Sequence, residues 1–372
     1  MNTSTKLALN TIQKFPSQMK WHYSEAFVLH AILETAKRDK DEDIISWIRQ
    51  RFDTLLLENG NISGYDKEAF NLDSIYPGTL AFEFYKLTGL EKYKTVIKKL
   101  FEQLQEQPRN ISGGFWHKKI YPWQMWLNGF YMYAPFYARY GIEFDNKDVL
   151  SDLMLQISLV ESHFKDSKTG LLYQAWDESH KQLWVDNNNG CSPIIFARAV
   201  GWYAMALVDI LDFIPNNKDY HHIRNQIIKA ANSLVEPVIS CQDKTNGMWM
   251  QVMDRPNHKG NYHETSASAM FVYFLYKMAR KDYLSNNIHT TINTQNLLDA
   301  ANKGYDGICS KLVTGDDGSL HLTGICDKAG LGGNPYRDGS YKYYIEQPVV
   351  TDDYKGTGAF IYAALEYELQ SI

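Results

Sequence analysis

The sequence predicts an all-α protein, about six helical hairpins closed into an (α/α)6 barrel, and three observations carry that prediction. Apolar residues recur at helical spacing through most of the chain, strand-like alternation is brief and confined to loops, and a Gly-opened loop recurs five times. The five loops open at Gly64, Gly114, Gly170, Gly247 and Gly318, and most run straight into aromatic residues, as in Gly114-Phe115-Trp116-His117. Successive glycines lie about 50 to 77 residues apart, the length of a helical hairpin with its loops. In a closed ring these loops gather at one mouth and build a pocket. An open helical solenoid is the competing arrangement, since periodicity alone does not prove closure.

The helices are read in order near 24–37, 44–56, 74–88, 93–104, 123–140, 147–163, 194–213, 220–235, 262–280, 292–311 and 355–370. The second rests on Ile44, Ile45, Ile48, Phe52, Leu55 and Leu56, and the fourth on Tyr93, Val96, Ile97, Leu100 and Leu104, each set lining one helix face. No linker rich in Pro, Gly, Ser or charge divides the 372 residues, so one domain over 1–372 is expected. A chain of that size buries roughly 75% of its unfolded surface and needs no disulfide or metal staple.

Hydrophobic residues make up 44% and charged residues 22%, as in an ordinary soluble enzyme; the 14% aromatic content is the unusual figure. A net charge of −5 without a basic block argues against nucleic acid as a partner, because phosphate binding needs clustered Lys and Arg. A small anionic substrate stays open, since a few placed arginines suffice for one carboxylate. Cys191, Cys241, Cys309 and Cys326 lack C-x-x-C spacing and read as free thiols in a reducing compartment. Met1 to Lys20 has no apolar signal core, and no run reaches membrane-spanning length. Cytoplasm is therefore the expected compartment, with the periplasm open if a leader was removed. The histidines lack metal-ligand spacing, and no P-loop, dinucleotide fingerprint or G-x-S-x-G elbow is present, so neither a metal nor a cofactor is expected.

Tyr121 to Tyr140 lays a band of aromatics around one polar side chain, Asn128. Aromatic walls with a few placed polar groups suit sugar rings, although a core helix rich in aromatics answers the same pattern. Asp73 follows a polar loop where a helix begins, so it is either a pocket carboxylate or an N-cap. Arg198 stands in an otherwise apolar helix and needs an anionic partner, whether a structural carboxylate or a substrate's. His22 and His117 stand beside aromatics, a setting in which a histidine is more often a hydrogen-bonded packing residue than a catalyst.

Lys20-Trp21-His22-Tyr23, Leu72-Asp73, Gly113 to His117, Gln124 to Gly129, Tyr173 to Glu178, Arg198 to Tyr203 and Lys355 to Phe360, in this order and spacing, resemble the unsaturated rhamnogalacturonyl hydrolases of glycoside hydrolase family 105 nearly end to end. The resemblance implies an (α/α)6 barrel that removes a 4,5-unsaturated uronic acid from the non-reducing end of lyase-generated oligosaccharides. It also implies a mechanism in which an aspartic acid protonates C4 of the enol ether and water adds at C5; the hemiketal then opens and expels the aglycone. Such an acid keeps its proton in a dry pocket beside another carboxylate. By motif that acid falls on Asn128, an amide, and Asp73 matches the second carboxylate. Tyr23, His117, Arg198 and Trp202 fall on pocket-lining positions, with Arg198 as carboxylate partner, and Gln174 and Phe196 replace the His and Trp of relatives. Three readings of Asn128 stand: an engineered Asp-to-Asn exchange, which the intact surrounding motif favours, natural loss of catalysis leaving an oligosaccharide-binding protein, and an acid relocated to Asp73. The resemblance fixes neither the aglycone, rhamnose or sulfated rhamnose among the candidates, nor whether the protein is a monomer or a homodimer.

Overall fold

The computed structural model describes residues 1–58, 60–284 and 292–370. Its helices are α1 (Thr3–Lys14), α2 (Tyr23–Asp39), α3 (Glu42–Asp53), α4 (Gly78–Thr88), α5 (Glu91–Glu106), α6 (Leu127–Glu143), α7 (Lys147–His163), α8 (Ala197–Phe213), α9 (His221–Ser240), α10 (Thr265–Arg280), α11 (Thr294–Cys309), the short α12 (Tyr341–Ile345) and α13 (Tyr354–Leu369). Helices α2, α4, α6, α8, α10 and α13 form an inner ring that closes where α13 packs on α2, and α1, α3, α5, α7, α9 and α11 wrap it. This is the closed (α/α)6 barrel, and the open solenoid is excluded.

The two rings differ as their sequences dictate. Inner helices are buried on nearly every side: α8 is buried without a break from Ala197 to Val208. Outer helices are amphipathic: α5 buries Tyr93, Val96, Ile97, Leu100 and Leu104 and turns its lysines outward. Burial is therefore on one face outside and on both faces inside, which is the two-layer wall of the barrel.

Several boundaries differ from the periodicity. Helix α1 was not expected; its inward stripe mixes Leu7 and Ala8 with Ser4 and Thr11, which hides the pattern, yet it packs on α13 and α2 and completes the sixth hairpin. Residues Leu72–Ser74 form a separate 3-10 turn, and α4 starts only after Pro77, which has no N–H to give. Helix α6 starts at Leu127 because β1 (Gln124–Trp126) is drawn into an antiparallel pair with β2 (Ala175–Asp177). Helix α9 runs on past Pro237 to Ser240, held by buried Leu234, Val235 and Val238. Two further short pairs join β3 (Leu312–Thr314) to β4 (Leu320–Leu322) and β5 (Ile325–Cys326) to β6 (Val349–Val350).

The Gly-opened loops are turns between helices, but they do not jointly build the pocket. The second contributes His117 and Lys118 and the run from the fifth contributes Asp327, while Leu171 and Trp249 of the others are fully buried in the core. The walls come instead from the first turns of the inner helices. In the second loop Gly113 rather than Gly114 takes the left-handed backbone, at φ 92°.

Gly247 and Gly318 differ in a testable way. Both have positive φ, 75° and 79°, but a Cβ on Gly247 would press on the Lys303 carbonyl, whereas nothing lies within 4 Å of Gly318. Gly318→Ala should cost about 1–2 kcal/mol from backbone strain alone, and Gly247→Ala about 2–5 kcal/mol because overpacking adds to it. Denaturant midpoints of the two variants check the order; equal losses would mean the Lys303 approach carries no energy.

Candidate active site

The first turns of the inner helices meet around a cavity of about 270 Å³ that Tyr23, Asp73, His117, Asn128, Phe196, Arg198 and Trp202 all line. Seven of the eight residues that the resemblance assigns to the site thus line one cavity. Gln174 is the exception: it is buried behind the wall, its side-chain oxygen accepts from the Tyr344 hydroxyl, and its carbonyl accepts from the Leu127 amide at 2.7 Å. Its place beside β2 turns it toward the core, where it secures the start of α6.

Asp73 is brought to the cavity by a small clamp. Leu72 N–H donates to the His117 carbonyl at 3.1 Å, and His117 N–H donates to the Gln124 carbonyl at 2.8 Å, so three separate segments are tied together. Asn71, not Asp73, caps the turn, accepting from the Asp73 amide at 3.0 Å. The Asp73 carboxylate is therefore free of capping and takes Lys118 Nζ at 2.7 Å, with His117 Nε2 at 3.9 Å. Burial pushes this carboxyl up, but the Lys118 ammonium beside it outweighs burial and holds it below the ordinary carboxylate range. Asp73 is accordingly ionised at neutral pH.

His117 is 1% exposed and burial drives its imidazole down to about 3, so it is neutral. Its ring stacks on Trp126 at 4.7 Å, and Trp126 stacks on Tyr121 at 4.8 Å, a three-ring ladder along one wall. Gly129 makes room for it, since a Cβ there would lie 2.5 Å from His117 Nδ1. That nitrogen and Asn128 Oδ1 are both buried and find no hydrogen-bond partner among the described residues. On the opposite side Trp202 stacks on Tyr131 at 4.9 Å and meets the edge of Phe27 at 4.7 Å, forming the floor.

Arg198 has the structural partner its burial demanded, and it is Glu264, 3.7 Å away and fully buried. The guanidinium also donates to the Cys326 carbonyl at 2.5 Å, the Asp327 carbonyl at 3.3 Å and Ser266 Oγ at 3.4 Å. Five N–H donors against these acceptors leave capacity for a ligand. Phe196, the N-cap residue of α8, lies under the same guanidinium at 5.3 Å. Tyr23 opens α2, and burial raises its phenol well above the usual value, so it stays a neutral donor.

Sequence reasoning missed much of the charge. Lys118, Lys328, Arg337 and Lys355 join Arg198 on the wall, five cations against the carboxylates of Asp73 and Asp327. Lys355 opens α13 and its ammonium is lowered by burial and then by Arg198, while Asp353 at 2.7 Å offsets part of this. Lys355 stands in a quoted motif and so had a signal; Lys328 and Arg337 come from an irregular loop that no periodicity marks. Among the described residues no group of three or more His, Cys, Asp or Glu is placed to hold a metal ion, and no helix is long and apolar enough to cross a membrane.

A closed helical barrel whose inner helix starts surround an aromatic, cation-rich cavity is the architecture of a carbohydrate-processing hydrolase, and the comparisons place the chain within that class. It belongs to glycosyl hydrolase family 88, whose family model matches residues 1–370. It is similar to a family 105 glycoside hydrolase from C. acetobutylicum ATCC 824, 38% identical with a TM-score of 0.93 over 99% of this chain and 100% of that one. Protein Atu3128 of Agrobacterium fabrum (strain C58) is 37% identical over 238 residues, 63% of this chain and 97% of that protein. The unsaturated glucuronyl hydrolase of Bacillus sp. GL1 shares the fold at 11% identity, with a TM-score of 0.65 over 98% of this chain and 95% of that one.

The depressed His117 fixes a pH dependence of stability. The free imidazole titrates near 6.5 and the folded one at about 3, so between those values the unfolded chain binds a proton the folded chain does not. The stability His117 contributes is present above about pH 6.5 and is lost as pH falls toward 3. His117→Gln should flatten the acid side of the profile, with the parent losing up to about 2–3 kcal/mol more than the variant between pH 7.5 and 4.5. Thermal melts at the two pH values check this; parallel losses would show that the imidazole titrates in the fold.

Proposed function

We propose that this protein takes a 4,5-unsaturated uronic acid, at the non-reducing end of a lyase-generated oligosaccharide, into the cavity over Trp202, with its carboxylate against Arg198 and Lys355. The observation that supports this best is the convergence of Asp73, His117, Asn128, Arg198 and Trp202 on one aromatic cavity with more cations than carboxylates in its lining. The reaction served by such a site is hydration of the C4=C5 enol ether: a proton goes to C4, water oxygen bonds to C5, and the resulting hemiketal opens with loss of the aglycone. Ionised Asp73 suits the base that assists water. It does not suit the acid, because Lys118 keeps it deprotonated. Asn128 stands where the resemblance sets the acid, and an amide has no proton to give and recover.

The chain as it stands should therefore bind unsaturated uronyl-rhamnose disaccharide and turn it over very slowly, and Asn128→Asp should raise the rate about 10²–10⁴-fold, the contribution of a positioned acid. Loss of the double bond's ultraviolet absorbance measures both. Full activity with Asn128 in place would remove that residue from the acid's role. A second reading, a non-catalytic oligosaccharide-binding relative, is favoured by the same pairing of a neutral Asn128 with an ionised Asp73; it predicts no gain from Asn128→Asp.

Charge recognition is tested separately. Arg198→Ala should weaken binding of the unsaturated uronate roughly 10- to 150-fold more than binding of a neutral sugar, as expected for hydrogen bonds to a charged group. Because that change also strips buried Glu264 of its cation, Lys355→Met, whose partner Asp353 is 18% exposed, serves as the gentler variant. Calorimetry showing equal losses for charged and neutral ligands in both variants would assign these cations to the fold alone.

A further inference from the structure

Residues Tyr121 to Gln124 form a turn closed by the Gln124 amide donating to the Tyr121 carbonyl at 3.3 Å, with Pro122 second and Trp123 third at φ 66°. This is the pattern of a type II turn, whose third position suits glycine because an L side chain there is strained. A bulky aromatic is a poor choice for folding at such a site, and the ring is not drawn into the core: Trp123 is 36% exposed, and its ring partner is half-buried Trp116 at 5.3 Å. Strain retained to hold an aromatic ring at the surface points to use of that ring.

Its position says what the use is. Trp123 lies two residues after Tyr121 and three before Trp126, both on the cavity wall, and Trp116 immediately precedes His117. Trp116 and Trp123 thus pair with one another next in sequence to the ladder of His117, Trp126 and Tyr121, outside the residues that line the cavity. The Trp123 turn is held firmly, because the Trp123 carbonyl accepts from the Glu178 amide at 3.3 Å while the Glu178 carboxylate accepts from the Ile111 and Ser112 amides at 2.6 and 3.0 Å. A cavity of about 270 Å³ lies below the usual span of roughly 300–1,000 Å³ for a whole ligand, so later units of an oligosaccharide lie outside it, where an exposed aromatic ring can meet them.

We propose that Trp123, backed by Trp116, is a stacking platform for a sugar ring beyond the first two units of the substrate, so that the protein selects unsaturated oligosaccharides of three or more units over the disaccharide. The proposal rests on the uronide reading above. The ligand face is a pyranose C–H face, which packs on indole without any charged partner. Calorimetry with the unsaturated uronyl disaccharide and the corresponding tetrasaccharide tests it on the parent chain and on Trp123→Gly. The parent should bind the tetrasaccharide about tenfold more tightly, and Trp123→Gly should lose that gain, leave the disaccharide unchanged, and melt no lower than the parent because glycine relieves the positive φ. Equal affinity of the parent for both ligands, or a variant that keeps the gain, overturns the platform while leaving the uronide site intact. A variant that keeps the gain but passes from dimer to monomer in sedimentation assigns the ring to self-association and overturns it too. Failure of the parent to bind either ligand overturns the uronide site itself.

Discussion

The arrangement depends on one constraint: the hairpins alternate direction while the ring closes, so all six inner helices begin at the same mouth. Tyr23, Asn128, Arg198 and Lys355 stand in the first turns of α2, α6, α8 and α13, and Asp73 lies just ahead of α4. Each helix start carries unpaired amides and the positive end of a macrodipole. Six of them at one mouth make a field suited to an anion before any side chain is added. The cations on the wall reinforce that field, and Asp73, paired with Lys118, is held ionised within it.

The opposite end of the same barrel shows the converse. There the inner helices end; the last turns of α2 and α10 carry Lys37, Lys277 and Arg280, charges that offset converging C-termini, and Arg139 stands one turn before the end of α6. Each is matched to carboxylates: Lys277 to Asp209 and Asp212 at 2.7 and 2.6 Å, Arg280 to Glu366 at 2.6 Å, and Lys37 and Arg139 both to Glu83. These groups line a second cavity of about 320 Å³, and Tyr131, whose hydroxyl donates to Asp209 at 3.0 Å, stacks under Trp202. The floor of the candidate active site is thus braced from a self-neutralised network, whereas its walls keep a positive excess. One barrel holds two polar ends of different character, separated by a thickness of aromatic rings.

What could be read in advance follows from how far apart the contributing residues lie in sequence. The helical periodicity of Tyr93 to Leu104 is local, and so were the helices; the repeat of Gly-opened loops was enough to suggest the number of hairpins, even though α1 with its Ser4 and Thr11 stripe went unseen. The candidate site was legible where it coincided with motifs, as at Asp73, His117 and Arg198. Lys328 and Arg337 were not, because irregular loops carry no period and reach the cavity only when the ring closes. Glu264 as the partner of Arg198 is a contact across 66 positions, and the inward turn of Gln174 depends on the pairing of β1 with β2, which three-residue strands do not announce. The left-handed φ of Trp123 was equally invisible, since Pro-Trp is no turn signal of the kind that Pro-Gly is.

Asn128 and Asp73 have to be understood together. Two carboxylates on one dry wall cannot both ionise freely, and their mutual repulsion raises the proton affinity of the pair. With an amide at 128 that repulsion is absent, so Lys118 settles the contest and Asp73 stays charged. The exchange of one oxygen for an NH2 group therefore removes a proton donor and also lowers the proton affinity of the remaining carboxylate. The same exchange relieves the wall of a second negative charge, which leaves the cation excess around Arg198 and Lys355 larger than it would be with two acids. A carboxylate placed at position 128 would add a proton donor and reduce that excess, so it would alter affinity and chemistry in opposite directions.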